Sequence, residues 1–245
     1  MQLHSSRYRR EIEHNRKILP HADKIWGRES FAGKLRIQRR VGMIMKEGNI
    51  SKGKLALEIG CGTGVISKLL ACSQATIIAT DIFDEFLTIA KKNNSHAHLM
   101  FQKSDAHTLI SFKDSTFDVI YGVSILHHLE AQKALKSMHR VLKPGGFILF
   151  SEPNMLNPQI AIQKNIPFIK SWLGDSPDET AFFRWQAHSL LKAQGFRAIR
   201  ITPFDFLHPA IPDIFAKPLQ RLGNMLEKIP LLKEIAGSLF IKAQK

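Results

Sequence analysis

Residues 55–70, Leu55-Ala-Leu-Glu-Ile-Gly-Cys-Gly-Thr-Gly-Val-Ile-Ser-Lys-Leu-Leu70, decide the fold of this chain. The first five form a short apolar run with one acid, typical of a buried strand, and the last six carry apolar residues at helical spacing. Gly60, Gly62 and Gly64 join the two halves. Glycine lets a ligand lie against the backbone, and a turn that opens a helix presents free N–H groups at the positive end of the helix dipole. The stretch predicts a cradle for a polar, partly anionic ligand.

Strand and helix patterns alternate outward from this stretch. Further strands are predicted over 75–80, 99–103, 117–121, 147–150, 196–202 and 238–243, and helices over 32–46, 83–93, 132–142, 158–170, 176–194 and 214–228. Strands that alternate with helices imply a parallel sheet covered on both faces. Right-handed crossovers make that sheet doubly wound. We therefore expect an α/β fold with seven strands, and the helix over 176–194 is predicted from its capping serine, its proline at the first position and its glutamate at the third.

The chain divides into two parts by composition. Residues 1–50 form a basic N-terminal helical cap or arm, and residues 51–245 form the main domain, with inserts over 151–185 and 203–237 after strands five and six. The 245 residues carry a net charge of +14, half of it in residues 1–50, which hold 12 Lys and Arg against 5 Asp and Glu. Such a field favours nucleic acid, an anionic membrane surface or an acidic substrate, although a solvated basic face is an equally simple interpretation.

The remaining composition indicates a cytoplasmic protein. The N-terminus is polar and basic, unlike a secretory signal, and no apolar run is long enough to cross a bilayer. The two cysteines, Cys61 and Cys72, form neither a disulfide framework nor a zinc pattern. We expect no metal site.

Acidic residues follow the next two predicted strands. In an open α/β sheet, ligands bind beyond the carboxyl ends of the strands. Asp81 closes the second strand, 17 positions after Gly64, and an acid there can accept hydrogen bonds from two ribose hydroxyls. Asp105 follows the third strand and can accept from an exocyclic amine such as that of adenine.

Together these residues resemble the class I, Rossmann-like S-adenosylmethionine-dependent methyltransferases. The likeness covers residues 55–150, through Glu58-Ile-Gly-Cys-Gly-Thr-Gly64, Asp81, Ser104-Asp-Ala106, Phe117-Asp118 with Ile125-Leu-His-His-Leu129, and Arg140-Val-Leu-Lys-Pro-Gly-Gly146. The resemblance implies an antiparallel last strand and S-adenosyl-L-methionine as cofactor. It implies a cofactor-binding set of Glu58, Gly60, Cys61, Gly62, Gly64, Asp81, Ile82, Asp105, Ala106 and Tyr121.

Each of these residues also has a simpler role. Glu58 is expected to shape the loop by accepting from its backbone amides. Asp81 could instead cap the helix that begins at residue 82, and Asp105 could close a local Asx turn. Cys61 is expected to contribute only its backbone to the loop.

His127 and His128 are the candidate catalytic residues. Histidine titrates near physiological pH and can serve as a general base. Because adjacent positions on a helix do not share a face, we expect at most one of the two side chains to face the site. Glu152 and Asn154, just after the fifth strand, lie where substrate would enter, with turn formation as the alternative.

The predicted activity is O-methylation of a small-molecule or lipid-linked acceptor. The positive charge of the chain is compatible with an anionic acceptor. Residues 121–124 lack the Asn-Pro-Pro-aromatic pattern of enzymes that methylate planar amino groups, and the Leu-His-His-Leu segment is most similar to the small-molecule (methyltransferase type 11) branch. An aromatic group in the first insert could line an apolar pocket or form a lid core: Phe168, Trp172, Phe182, Phe183 and Trp185.

Three alternatives stay open. The Arg-rich N-terminus is compatible with an RNA or tRNA methyltransferase, although interleaved aromatic residues are sparse there. An intact cofactor loop is also compatible with a cofactor-binding protein that has no catalysis. The segment 214–228, with the basic arm, is compatible with peripheral membrane contact, and packing on the sheet edge is its simpler interpretation. Oligomeric state does not follow from the sequence.

Overall fold

A computed structural model describes residues 6–176 and 178–245, with residues 6–8 described by their backbone alone. The proline at position 177, part of the predicted helix start, lies outside the described residues. One mixed sheet has the strands β1 Leu55–Ile59, β2 Thr76–Asp81, β3 Leu99–Lys103, β4 Phe117–Val123, β5 Leu142–Pro153, β6 Arg197–Phe204 and β7 Ser238–Gln244. Their order is β3-β2-β1-β4-β5-β7-β6, and β7 runs antiparallel to both of its neighbours. The predicted seven-stranded, doubly wound α/β class is confirmed.

Helices cover both faces of this sheet. They are α1 Ser6–Ile18, α2 Ala22–Ile25, α3 Phe31–Gly48, α4 Val65–Ala71, α5 Asp84–Asn93, α6 Ala131–Val141, α7 Pro158–Asn165, α8 Pro167–Trp172, α9 Arg184–Ala193, α10 Asp213–Leu226 and α11 Pro230–Lys233. The predicted helix over 158–170 is broken into α7 and α8 at Ile166, because a residue that precedes proline avoids the helical conformation. Among the described residues, no helix combines the length and apolarity that a membrane span requires.

The alternation of side chains along the central strands forms two apolar layers. Leu57, Ile120 and Ile148 point to one face, where α6 and α9 pack. Their sequence neighbours point to the other face, where α3 and α4 pack: Ala56, Val119, Tyr121 and Leu149. Since successive strand residues face opposite sides, β1 and β4 are buried on both faces, and their loops at the carboxyl edge are held in place.

Helix α3 brings the N-terminal segment onto the sheet. Its first turn is capped by Ser30, whose Oγ accepts from the N–H of Gly33 at 3.0 Å. It ends at Asn49, which has the left-handed φ of 47° that suits a helix terminus. The same serine donates to the carbonyl of Pro209 at 2.6 Å, so the helix start is tied to the segment after β6.

The prediction that a helix begins at Ser176 is wrong. A single turn does form there, since the N–H of Ser176 donates to the carboxylate of Glu179 at 3.1 Å. The chain then extends, because the N–H of Phe182 donates to the carbonyl of Pro153 and lengthens the sheet edge. Helix α9 therefore begins eight residues later, at Arg184.

Candidate functional site

A cavity of about 830 Å³ runs along the carboxyl edge of the sheet. It is lined by the loops that follow β1, β2, β3 and β4 and, on the opposite wall, by α1, α3 and the segment after β6. Most of the predicted site residues line it: Gly60, Gly62, Asp81, Ile82, Asp105, Ala106, His127 and His128. Among the predicted set, Glu58, Cys61, Gly64 and Tyr121 lie behind its wall.

The three glycines of the loop are needed for different structural reasons. All have positive φ, of 68°, 53° and 81° for Gly60, Gly62 and Gly64. A Cβ on Gly60 would lie 2.5 Å from the side chain of Ile125, so the loop and the segment after β4 approach too closely for any side chain. A Cβ on Gly64 would meet Asn94 at 2.8 Å, so this glycine serves the packing of α4 on α5.

Asp81 ties the end of β2 to the glycine loop. Its Oδ2 accepts from the N–H of Gly62 at 2.8 Å, and its Oδ1 accepts from the N–H of Phe83 at 3.0 Å. Burial raises the pKa of Asp81, and the backbone donors Phe83 and Gly62 oppose that rise. Because α5 begins only at Asp84, the side chain shapes the turn before the helix and keeps part of its surface toward the cavity.

The carboxylate of Glu58 lies behind the loop and bonds to other side chains. It is buried, and its Oε2 accepts from the hydroxyls of Ser67 at 2.5 Å and Tyr121 at 3.1 Å. Burial raises the pKa of Glu58 to about 7, although both hydrogen bonds lower it. The expected bonds to loop amides are thus replaced by bonds to α4 and β4. Cys61 is also buried, and its N–H donates to the carbonyl of Thr80 at 2.9 Å.

Asp105 closes the local Asx turn, and its contact to adenine stays a prediction. Its Oδ1 accepts from the backbone N–H of His107 at 2.8 Å, which closes the local turn, and lies 2.7 Å from Nδ1 of the same histidine. The side chain remains partly exposed in the cavity wall.

The N-terminal segment covers the glycine loop, which the sequence did not predict. The guanidinium of Arg28 lies 4.3 Å from the ring centroid of Trp26, and a Cβ on Gly62 would lie 3.2 Å from that ring. Arg28 also donates to Thr63 and to Asp23, both at 3.3 Å. A cation therefore lies beside the loop, in the cavity wall.

Both histidines after β4 face the cavity, so the expectation that at most one does so is wrong. The segment Leu126–His128 is a short 3₁₀ helix, and the two rings lie 4.3 Å apart by their centroids. His127 is buried, with Nδ1 2.5 Å from Glu152 and Nε2 3.3 Å from Glu179. Burial alone lowers the pKa of His127, but the two carboxylates outweigh it and raise the pKa to about 9. His127 is therefore an imidazolium at neutral pH.

His128 is the more exposed member of the pair. Its Nδ1 lies 3.2 Å from the carboxylate of Glu11 on α1, and its Nε2 lies 4.0 Å from Glu179. Glu11 in turn accepts from the hydroxyl of Ser176 at 2.6 Å. A carboxylate thus fixes one ring nitrogen while the other faces a partly open space.

Glu152 and Asn154 are buried structural residues and not entry residues. Glu152 accepts from the backbone N–H groups of residues 125–127 as well as from His127. Asn154 donates to the carbonyls of Glu234 and Ala236, which fixes the chain before β7. The aromatic residues of the first insert also lie outside the described cavity wall: Phe168, Trp172, Phe182, Phe183 and Trp185.

One group of side chains has the composition of a cation site. Ligand atoms of His127, His128 and Glu179 lie within 4.8 Å of one another. However, Lys164 already bonds to Glu179, and His127 holds its proton between two carboxylates. The carboxylate of Glu179 is therefore already neutralised by cations of the chain. A metal ion would have to displace both Lys164 and the proton of His127.

Comparison with known proteins shows what this chain is similar to. Residues 57–150 match the family model described as a methyltransferase domain. Ubiquinone biosynthesis O-methyltransferases are similar: that of Pseudomonas syringae pv. tomato is 30% identical over 56% of this chain and 61% of its own, and that of Idiomarina loihiensis 31% identical over 55% and 51%. The chain thus spans about half the length of the curated relatives it matches.

Solved structures share the fold across nearly the whole chain. A methyltransferase from Thermotoga maritima, described as a possible histamine N-methyltransferase, has a TM-score of 0.70 at 16% identity and covers 96% of this chain and 99% of its own. The [4+2]-cyclase SpnF has a TM-score of 0.68 at 17% identity, with 96% and 95% covered.

Proposed function

We propose that this chain is a class I S-adenosylmethionine-dependent methyltransferase and that it methylates an oxygen of a small-molecule acceptor. The observation that carries the proposal is one cavity that joins the glycine loop and Asp81 to His128. Its volume of about 830 Å³ is in the range of small-molecule and cofactor sites. Free Cys61 and Cys72 support a reducing, cytoplasmic setting.

The residues of the cavity fit the cofactor. Gly60 and Gly62 contribute backbone to the wall, and Asp81 and Asp105 offer carboxylate oxygens that can accept from ribose hydroxyls and an adenine amine. Arg28 supplies a cation for the carboxylate of the amino-acid part. When bound, the cofactor supplies an electrophilic methyl group on a sulfonium.

We assign different roles to the two histidines. His127 holds its proton and, with Glu152, fixes the 3₁₀ turn through the backbone donors of residues 125–127. His128, oriented by Glu11, accepts the proton of the acceptor hydroxyl. Parts of residues 11–40 and of the two inserts line the cavity and orient that hydroxyl, and orientation supplies a large part of the rate acceleration.

A lipid-linked acceptor at a membrane surface is part of the proposal. Helix α10 buries only Ala216 and Gly223 and leaves a wide apolar face exposed: Ile214, Phe215, Leu219, Leu222 and Met225. The cations Lys217 and Arg221 fall on one flank of that face by helical spacing. Such a face suits an anionic bilayer, and Gly223 contacts Phe206 in the cavity wall.

Labelled methyl transfer tests the proposal. The protein is incubated with S-adenosylmethionine carrying a tritiated methyl group and with phenols, catechols and phenolic lipids or bulk tRNA. We expect label in the phenolic fraction. Label in tRNA alone would support the RNA alternative, and cofactor binding without transfer would support the non-catalytic one. Membrane contact is tested by flotation with anionic and neutral vesicles, in which Leu222→Asp should lose the binding to anionic vesicles.

A further inference from the structure

A pair of arginines lines the part of the cavity above the β5–β7–β6 half of the sheet. Arg36 and Arg40 of α3 line the cavity together with Asp205, which follows β6. Arg40 reaches Ser151 on β5 and Ser238 on β7, so the group lies above the β5–β7–β6 half of the sheet. The glycine loop and the acids after β2 and β3 lie above the other half. The arginines are therefore on the acceptor side.

Arg40 is fully engaged in holding the fold. It is buried, its Nε donates to Ser151 at 3.1 Å, and its Nη2 donates to Ser238 at 2.8 Å. Nη2 also lies 2.7 Å from the carboxylate of Asp205, and Nη1 donates to the carbonyl of Arg36 at 3.2 Å. This guanidinium positions Asp205, and few of its N–H donors remain for a ligand.

Arg36 is only half engaged. Its Nε donates to Asp205 at 2.8 Å, and the side chain is 22% exposed. Its two terminal nitrogens make no hydrogen bond to the described part of the chain, and they carry four N–H donors in a planar fork. A carboxylate or phosphate accepts from such a fork in bidentate geometry.

Charge in this part of the cavity is also unbalanced. Burial alone would raise the pKa of Asp205, but Arg40 and Arg36 outweigh it and hold the pKa at about 2, so this carboxylate stays ionised. One carboxylate therefore faces two guanidinium groups. Arg39 does not alter this balance, because both of its terminal nitrogens bond to Glu227. Burial first, and then the charge of Arg36, lower the pKa of His208 in the same wall, as expected in a positive field.

We propose that Arg36 binds an oxyanion of the acceptor, a carboxylate or a phosphate, and so selects acidic acceptors and sets their orientation in the cavity. Apolar side chains of Ile37, Val123 and Leu207 line the same cavity and suit the hydrocarbon part of such a molecule. The inference rests on the proposed methyltransferase function, since it names the acceptor class for the same site.

Calorimetry with three aryl probes tests this inference: benzoate and benzamide have nearly the same shape and differ in charge, and phenyl phosphate carries the other oxyanion. Benzoate, phenyl phosphate and the neutral benzamide are titrated into the protein with and without saturating S-adenosylhomocysteine. We expect at least one anion to bind tenfold or more tightly than benzamide, and the comparison of benzoate with phenyl phosphate identifies which oxyanion is preferred. Equal binding of all three probes, or no binding, overturns the inference.

Variants on one helix locate the effect. Arg36→Met should lose the tenfold preference, whereas Lys34→Met, which removes an exposed cation outside the cavity wall, should keep it. Asp205 remains paired with Arg40 in the first variant, so we expect it to fold. If it does not, Arg36→Lys, which keeps the charge but loses the fork, should lower the preference severalfold. A preference that survives these changes at Arg36 overturns the inference. Failure of S-adenosylhomocysteine to bind, with anion preference intact, would count against the proposed function alone.

Discussion

The carboxylate of Asp81 accepts a hydrogen bond from the N–H of Gly62 at 2.8 Å, so the acid at the end of β2 holds the loop that follows β1. Neighbouring parallel strands bring their carboxyl ends to one edge, and here β1 and β2 pair in register from Leu55–Thr76 to Ile59–Thr80. The same side chain faces the cavity. The residue that shapes the loop is therefore also the one at which we predict a contact to the ligand.

Substitution of Gly60 should destabilise the protein. Alanine at this position would combine a φ of 68° with a Cβ 2.5 Å from Ile125, and we expect a loss of about 1–3 kcal/mol of unfolding free energy. Gly42→Ala on α3 is the matched control, because a Cβ there meets nothing within 4 Å. That variant should gain about 0.5–1 kcal/mol from helix propensity. Urea unfolding measures both, and equal stabilities would refute the close approach of loop and Ile125.

The buried acid Glu58 should make stability fall as pH rises. Its pKa is raised from 4.5 in the unfolded chain to about 7 in the fold. The folded state therefore binds the extra proton between these values, and the cost of ionising Glu58 grows from about pH 4.5 to pH 7. Glu58→Gln should remove a pH dependence of about 3 kcal/mol. Denaturant unfolding at pH 5 and pH 8 measures it, with the exposed Glu85→Gln as control; an unchanged slope in Glu58→Gln would be inconsistent with this ionisation.

His127 should stabilise the fold while it is protonated, whereas Glu58 destabilises it once ionised. The folded pKa of His127, about 9, lies above the unfolded value of 6.5, so the stabilisation is fully present below pH 6.5 and is lost as pH rises through 9. The stability difference between wild type and His127→Gln should shrink by about 3 kcal/mol between pH 6 and pH 10. The exposed His96→Gln serves as control. A difference that does not change with pH would show that folding leaves the pKa of His127 at its unfolded value.

His128 should affect turnover and leave cofactor affinity unchanged. With a phenolic acceptor that the wild type methylates, His128→Gln should lower kcat by about 10²–10⁴-fold, the usual contribution of a general base. Affinity for S-adenosylhomocysteine should remain within twofold, because the proposed role of His128 concerns the acceptor hydroxyl and not the cofactor. Rates measured from pH 6 to pH 9 distinguish a general base from a structural residue. If the variant keeps a normal kcat and a normal pH profile, His128 is not the general base.

Local sequence patterns predicted the parts of the site that are local in the chain. The glycine loop, Asp81 and Asp105 each follow a strand whose pattern is visible within about ten residues. The parts that were missed depend on distant partners. Arg40 lies in an Arg-rich segment with no local signal for burial, yet it is buried because Ser151 and Ser238, 111 and 198 positions away, accept its hydrogen bonds.

The insert after β5 shows a second limit of sequence patterns. Ser176 and Glu179 form the reciprocal turn that their spacing predicts, but tertiary pairing of Phe182 with Pro153 competes with continuation of the helix. The covering of Gly62 by Trp26 and Arg28 has no local pattern at all, because it depends on how α2 packs against α5 through Trp26 and Phe86.

Titration of the protein with S-adenosylhomocysteine in a calorimeter tests the central claim most directly. We predict one saturable site in the wild type and a loss of about 1–3 kcal/mol of binding free energy in Asp81→Asn, with Asp84→Asn, an exposed acid paired with Lys103, as the unaffected control. Absence of heat and of any thermal shift with folded wild-type protein, or equal affinity in Asp81→Asn, would contradict a cofactor held at the carboxyl edge by this aspartate.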